Sequence, residues 1–167
     1  MRRQVHTEAS AVGDAQFQKA RLGDIRVDAA DLDRHHTLAR VRSKEALVGI
    51  IGLGYVGLPL GVAFNEAGCR VLGFDLDAAK PAALARGESY IKHIEAERLA
   101  PHVKSGLLTA TSDMTRLGEA DVILICVPTP LTHHLEPDLS FVVSTCETIA
   151  KTLRAGQLVV LESTTYP

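Results

Sequence analysis

The run Leu47-Val48-Gly49-Ile50-Ile51 leads directly into Gly52-Leu53-Gly54-Tyr55-Val56-Gly57, and residues 58–67 follow with helical character. A short apolar run bounded by glycines reads as a strand buried on both faces. Three glycines spaced GxGxxG, between a strand and a helix, form the turn of a dinucleotide fingerprint. Gly52 then permits the tight turn, Gly54 lets a pyrophosphate approach the backbone, and Gly57 lets the helix pack close to the strand. Free amides at the helix start, with the positive end of its dipole, face the phosphates. Taken alone, the same glycines also serve plain packing.

The next strand, residues 70–74, makes the reading sharper. It ends at Asp75, where a carboxylate can accept hydrogen bonds from both hydroxyls of an adenosine ribose. The same charge repels a 2′-phosphate, so NAD is expected rather than NADP. The alternative for Asp75 is a turn or helix cap beside Asp77. Lys80 sits beside the adenine or ribose, or else is a solvated surface lysine.

Strand and helix signals then alternate along the chain. Helices are expected over residues 77–86, with Pro81 near the start and Gly87 past the end, and over 94–104, broken or kinked by Pro101. A short strand is expected at 107–111, and the apolar run 122–127 reads as a strand covered on both faces. Asp138 opens a helix with apolar residues at Leu139, Val142, Val143, Cys146, Ile149, Ala150 and Leu153, the spacing of one buried face. Gly156 ends it, and residues 157–161 read as one more buried strand. Upstream, residues 37–47 read as a helix entering the first strand. Alternation at these lengths predicts an α/β fold, a Rossmann-type doubly wound parallel sheet. It is expected to be C-terminally incomplete, lacking its last helix and strand and so leaving the strand at 157–161 as an uncovered edge, and to carry a short N-terminal extension.

In such a sheet, ligands bind beyond the carboxyl ends of the strands. Val127-Pro128-Thr129-Pro130 follows one strand, and its two prolines fix a single hydroxyl between them. Glu162-Ser163-Thr164-Thr165-Tyr166-Pro167 follows another. Glu162 either holds a water or acts as a base, its pKa raised by partial burial, or is a strand-end carboxylate satisfied by the amides of residues 163–165.

Composition limits the alternatives. With 46% hydrophobic and 23% charged residues among 167, the chain has material for one ordinary core. Its longest apolar run is far shorter than the roughly 18 residues of a membrane span. A net charge of −2, with no Trp and few other aromatics, gives neither the field nor the stacking surface for nucleic acid. Residues 1–46 carry nine basic and seven acidic residues, against nine and thirteen in 47–167, so +2 faces −4. Three cysteines, without CxxC, fit a reducing cytoplasm. Acids at Glu8, Asp14, Asp24 and Asp28 argue against a transit peptide, and no apolar core marks a secretory signal. Residues 1–34 read as a flexible extension, or a docking arm for a partner subunit, ahead of a domain over 35–167. Adjacent histidines at 35–36 and 133–134 point apart, so no metal site is expected.

These residues resemble the NAD-binding N-terminal domain of the UDP-glucose/GDP-mannose dehydrogenase family. The matching stretches are KEALVGIIGLGYVGLPLG, GFDLD, YIKHI, ADVILICVPTPL, EPDLSFV and LVVLESTTYP. The wording is most like the UDP-N-acetylglucosamine 6-dehydrogenase branch, with the UDP-N-acetylmannosamine and UDP-glucose enzymes close competitors. The resemblance implies a two-step oxidation of a sugar C6 alcohol to a carboxylate with two NAD⁺, for surface polysaccharide synthesis. It places Gly52, Gly54, Tyr55, Val56 and Gly57 at the pyrophosphate, and Asp75 and Lys80 on the adenosine side. Val127, Pro128 and Thr129 run along the cofactor. Thr129 faces the reacting centre, and Glu162 helps place the water that hydrolyses a thioester. Tyr90 and Ile91 fall near the substrate side.

The family's nucleophilic cysteine lies beyond residue 167, and Cys69, Cys126 and Cys146 read as packing residues: Cys126 inside a buried strand, Cys146 on the apolar face of a helix. The chain by itself is therefore expected to be inactive, and the full-length protein to act on a UDP-sugar as a homo-oligomer. Two other readings stand beside it: a stand-alone NAD-binding module without catalysis, and a methyltransferase with a similar glycine loop.

Overall fold

The computed structural model describes residues 34–163 apart from 93, 134 and 135, so the expected extension lies, but for Arg34, outside the described residues. In chain order the elements are α1 (Arg34–Ser43), β1 (Leu47–Ile51), α2 (Gly57–Glu66), β2 (Arg70–Phe74), α3 (Ala79–Ala85) and α4 (Ala96–Lys104). They continue with β3 (Leu108–Thr111), a 3₁₀ helix (Met114–Glu119), β4 (Val122–Ile125), α5 (Ser140–Ala150) and β5 (Leu158–Leu161). The strands form one five-stranded sheet in the order β3-β2-β1-β4-β5, with every pair parallel. This is the expected doubly wound arrangement. Chain order reverses between β1 and β4, and ligands of such sheets bind at that switch point.

The period-two pattern of the strands divides the core between the two faces. Val48, Ile50, Val71, Val122 and Leu124 pack with Leu58 and Val62 of α2, Leu84 of α3 and Leu99 of α4. Ile51, Leu72, Phe74, Ile123 and Ile125 turn the other way, onto Leu117 of the 3₁₀ helix and Ile149 of α5. Parallel strands buried on both sides account for the near-continuous apolar runs in β1 and β4.

The opposite end of the sheet is held by one carboxylate. Asp121, 4% exposed, accepts from Arg40 Nη1 at 2.9 Å, Arg154 Nη2 at 3.0 Å and the Leu47 amide at 2.9 Å. It thereby ties α1, β1 and the turn before β5 to the start of β4.

Several expected elements shift. The helix expected over 37–47 occupies Arg34–Ser43 and ends where Lys44 takes φ 63°, with the Glu45 and Ala46 amides turned back onto the Arg40 carbonyl. The second helix begins at Ala79 rather than at residue 77, with Asp77 accepting the Ala79 amide. Helix α4 runs through Pro101 instead of breaking there. Strand β4 stops at Ile125, after which Pro128 and Pro130 have no amide to continue a ladder. Strand β5 pairs with β4 at the sheet edge, and Leu158, Val159 and Leu161 are exposed, as an uncovered edge rather than the buried strand its apolar run suggests. On α5 only Ile149 of the expected apolar stripe is buried, while Leu139, Val143 and Cys146 are exposed.

Candidate functional site

A cleft of about 780 Å³ opens across the carboxyl ends of β1, β2, β4 and β5. Its lining includes Gly52, Gly54, Tyr55, Val56, Asp75, Lys80, Val127, Pro128, Thr129 and Glu162. Residues singled out from five separate places in the sequence thus come together. Gly57 is buried behind them.

The glycine turn has a different reason for each glycine. At Gly52, φ is +93° and an added Cβ would stand 2.5 Å from the Cys126 carbonyl oxygen, so β1 and β4 can approach only without a side chain there. At Gly57 a Cβ would run into the Gly52 carbonyl oxygen. At Gly54 nothing of the protein lies within 4 Å of where a Cβ would be. That glycine leaves open space facing the cleft, next to amides that precede the first helical bond, Leu58 N–H to Gly54 C=O. Open backbone beside unsatisfied helix-start donors is the cradle that a phosphate fills.

The turn is held from both sides of the Leu53 peptide. Its N–H donates to Asp75 Oδ2 at 2.9 Å, and its C=O accepts from the Tyr90 hydroxyl at 2.8 Å. Burial, with the Asp75 and Asp77 charges, pushes the Tyr90 phenol well above its ordinary pKa, so it stays a donor. The Leu53 side chain is 1% exposed and packs where Gly73 carries no side chain.

Asp75 makes the cap that was the alternative reading and also reaches the cleft. Oδ1 accepts the Asp77 amide at 3.0 Å, as a turn cap, while the carboxylate still lines the cleft at the end of β2. Lys80 is no free surface lysine: its Nζ donates to Asp75 Oδ2 at 2.8 Å. Thr129 is half-buried between its prolines, and Glu162 is exposed, so the partial burial expected for it is corrected. The proposed capping of Glu162 involves residues 164 and 165, which lie outside the described residues.

Ile91 belongs to the core, 4% exposed, and Tyr90 acts on the turn, so neither lines the cleft. Cys126 is not inside a strand: it follows β4, half-buried, and lines the cleft. Burial, then the Glu162 charge, raises its thiol pKa to about 11. Among the described residues no group of three or more His, Cys, Asp or Glu could hold a metal ion.

The sequence reading missed one wall. Phe141, Ser144, Thr145 and Thr148 of α5 line the cleft, as does Met114 of the 3₁₀ helix. The four α5 residues repeat at helical spacing, a stripe as regular as the apolar one, but its hydroxyls carry no hydrophobic signal. The three hydroxyls donate back into their own helix, Thr145 to Phe141 O at 2.7 Å, Thr148 to Ser144 O at 2.9 Å and Ser144 to Phe141 O at 3.2 Å. They therefore offer acceptor lone pairs to the cleft.

A parallel sheet in this order, with a glycine turn at the switch point and an acid after β2, defines a Rossmann-type dinucleotide-binding domain. The chain belongs more narrowly to the UDP-glucose/GDP-mannose dehydrogenase family, whose NAD binding domain it matches over residues 46–167. It is 37% identical over 124 residues to UDP-N-acetyl-D-glucosamine 6-dehydrogenase of Pseudomonas aeruginosa, covering 74% of this chain and 28% of that protein. Against UDP-N-acetyl-D-mannosamine dehydrogenase of Escherichia coli K12 it is 40% identical over 120 residues, covering 71% and 28%. Among solved structures, a UDP-glucose dehydrogenase from Pyrobaculum islandicum superposes with a TM-score of 0.69 at 30% identity, over 73% of this chain and 29% of that one. The chain thus spans less than a third of the length of the curated relatives it matches. Among the described residues no helix is long and apolar enough to cross a membrane.

Proposed function

We propose that this chain is the cofactor-binding part of an NAD-dependent UDP-N-acetylhexosamine 6-dehydrogenase. In this reading the whole enzyme oxidises the sugar C6 alcohol to a carboxylate with two NAD⁺, and the uronate enters surface polysaccharide. The observation that carries the cofactor assignment is the open space at Gly54, facing the cleft between Asp75 at one strand end and Thr129 at another. The sugar assignment rests on relatives named as UDP-N-acetylglucosamine and UDP-N-acetylmannosamine dehydrogenases.

When bound, NAD⁺ supplies a hydride acceptor. The amides from Gly54 to Gly57 bind its pyrophosphate, and the helix dipole of α2 adds to that attraction. Asp75 takes the adenosine ribose, and the hydroxyl-bearing face of α5 with Met114 borders the adenine. Pro128 and Pro130 fix the Thr129 hydroxyl near the reacting end. The exposed Glu162 carboxylate holds a water or accepts a proton there.

Cys126, which lines the cleft, does not replace a catalytic thiol. Its pKa is raised to about 11 by burial and the Glu162 charge, whereas a nucleophilic thiol needs it lowered. In this reading the 167 residues alone bind NAD and turn over no UDP-sugar. Calorimetric titration of this chain with NAD, beside NADH formation by the longer polypeptide with UDP-N-acetylglucosamine, UDP-N-acetylmannosamine or UDP-glucose, tests both halves. Absence of NAD binding would overturn the cofactor assignment. Binding by the chain with no turnover of any of the three sugars by the longer protein would favour a binding module without catalysis.

A further inference from the structure

The Asp75 carboxylate has fewer free positions than a ribose diol requires. Oδ2 already accepts the Leu53 amide and the Lys80 ammonium, and Oδ1 accepts the Asp77 amide. A carboxylate offers about four lone-pair sites, so one good site remains, on Oδ1, for two ribose hydroxyls. Among the described residues Lys80 is also the only cation in the lining of the cleft, which otherwise carries the charges of Asp75, Asp77 and Glu162. Its side chain is 31% exposed, against 9% for that of Asp75. The lysine is the partner free to move, on a flexible four-carbon stem.

We propose that Lys80 is a specificity-determining residue: a latent ligand for a 2′-phosphate on the adenosine ribose, held out of use by Asp75. The inference rests on the NAD reading of the cleft and deepens it. A bare carboxylate rejects NADP by repulsion. Here an ammonium 2.8 Å away offsets part of that charge, so the preference for an unphosphorylated ribose depends on Asp75 keeping that ammonium occupied. NAD leaves the pair closed, with one ribose hydroxyl on the free Oδ1 site and the ammonium beside the ribose edge. A 2′-phosphate brought to the same place meets the ammonium together with Asp75 and, next to it, the exposed Asp77. Removing the Asp75 charge, while keeping an oxygen for the Leu53 amide, releases Lys80 to bind phosphate.

The test is a double-mutant cycle on this chain, titrated by calorimetry with NAD, NADP, ADP-ribose and 2′-phospho-ADP-ribose. Asp75→Asn is expected to weaken NAD binding and to tighten NADP and 2′-phospho-ADP-ribose by about tenfold or more, the scale of one new charge-assisted phosphate contact. Lys80→Gln in the wild-type background is expected to weaken NADP more than NAD, by about fivefold at low salt. In Asp75→Asn/Lys80→Gln the NADP gain disappears. An equal NADP gain with and without Lys80 would mean that loss of repulsion alone acts, and it overturns the proposal. Should Asp75→Asn lose its circular dichroism signal, the Lys80→Gln comparison decides alone, and an unchanged NADP-to-NAD ratio overturns the proposal. A wild-type chain that binds no NAD overturns the cofactor reading itself, an outcome distinct from NAD binding without dependence on Lys80.

Discussion

Leu53 is held at its N–H by Asp75 and at its C=O by Tyr90, so the glycine turn is set before any ligand arrives. Preorganised donors bind better than donors that must first be ordered. Tyr90→Phe keeps the ring in place and removes one neutral hydrogen bond, worth about 1 kcal/mol. NAD affinity measured by calorimetry should fall by about fivefold, and amide exchange at residues 53–57 should quicken. Unchanged exchange there would remove the tether from the account. Cys126 offers a second test at this scale. Its pKa is raised to about 11, so the thiolate fraction should climb about tenfold per pH unit until that pH and level off above it. Iodoacetamide labelling should follow that curve and slow when NAD covers the cleft. A plateau near pH 9 would show an ordinary thiol instead.

The glycine turn and α2 form the element assigned to the pyrophosphate, and its second and third glycines, Gly54 and Gly57, separate ligand approach from packing. Gly57→Ala drives a Cβ into the Gly52 carbonyl, so the helix must move off the sheet. A loss of about 2 kcal/mol or more in urea unfolding should accompany the loss of NAD binding. Gly54→Ala meets nothing in the protein, so stability should stay within about 0.5 kcal/mol of wild type while NAD affinity drops about tenfold or more. An equal stability loss in both variants would mean that Gly54 serves packing. Much of this element was readable from sequence, because GxGxxG after an apolar run is a local pattern and its chemistry needs only near neighbours. The Tyr90 tether was not readable, since it spans 37 residues between a loop and the turn. Nor was the Asp75–Lys80 pair, which depends on how α3 leaves the turn after β2. On α5 the periodicity gave the right helix and the wrong face. Period tells which residues share a side, whereas burial depends on what packs there, and the hydroxyl stripe turned to the cleft while the apolar one stayed exposed.

Across the whole molecule, binding and stability sit at opposite ends of the same strands. The cleft lies at the carboxyl end of β4, and Asp121 stands just before its amino end, a four-residue strand or roughly 13 Å away. Asp121→Ala would leave the Leu47 amide unpaired near the core and two guanidinium groups without their shared carboxylate. Arg40 and Arg154 keep 32% and 44% side-chain exposure, so water recovers part of their loss. The net cost should be about 2 kcal/mol by urea denaturation, chiefly from the half-buried Leu47 amide and the charged hydrogen bonds. NAD affinity of the folded fraction should stay within about twofold, because no residue of this brace reaches the cleft. A matching loss of affinity would show that the brace sets the switch point through β1 and β4, since Leu47 and Val122 each begin a strand that leads into the glycine turn or into Cys126. The sheet would then pass strain from its amino to its carboxyl edge, and the glycine turn would owe its shape to Asp121 as well as to Asp75 and Tyr90.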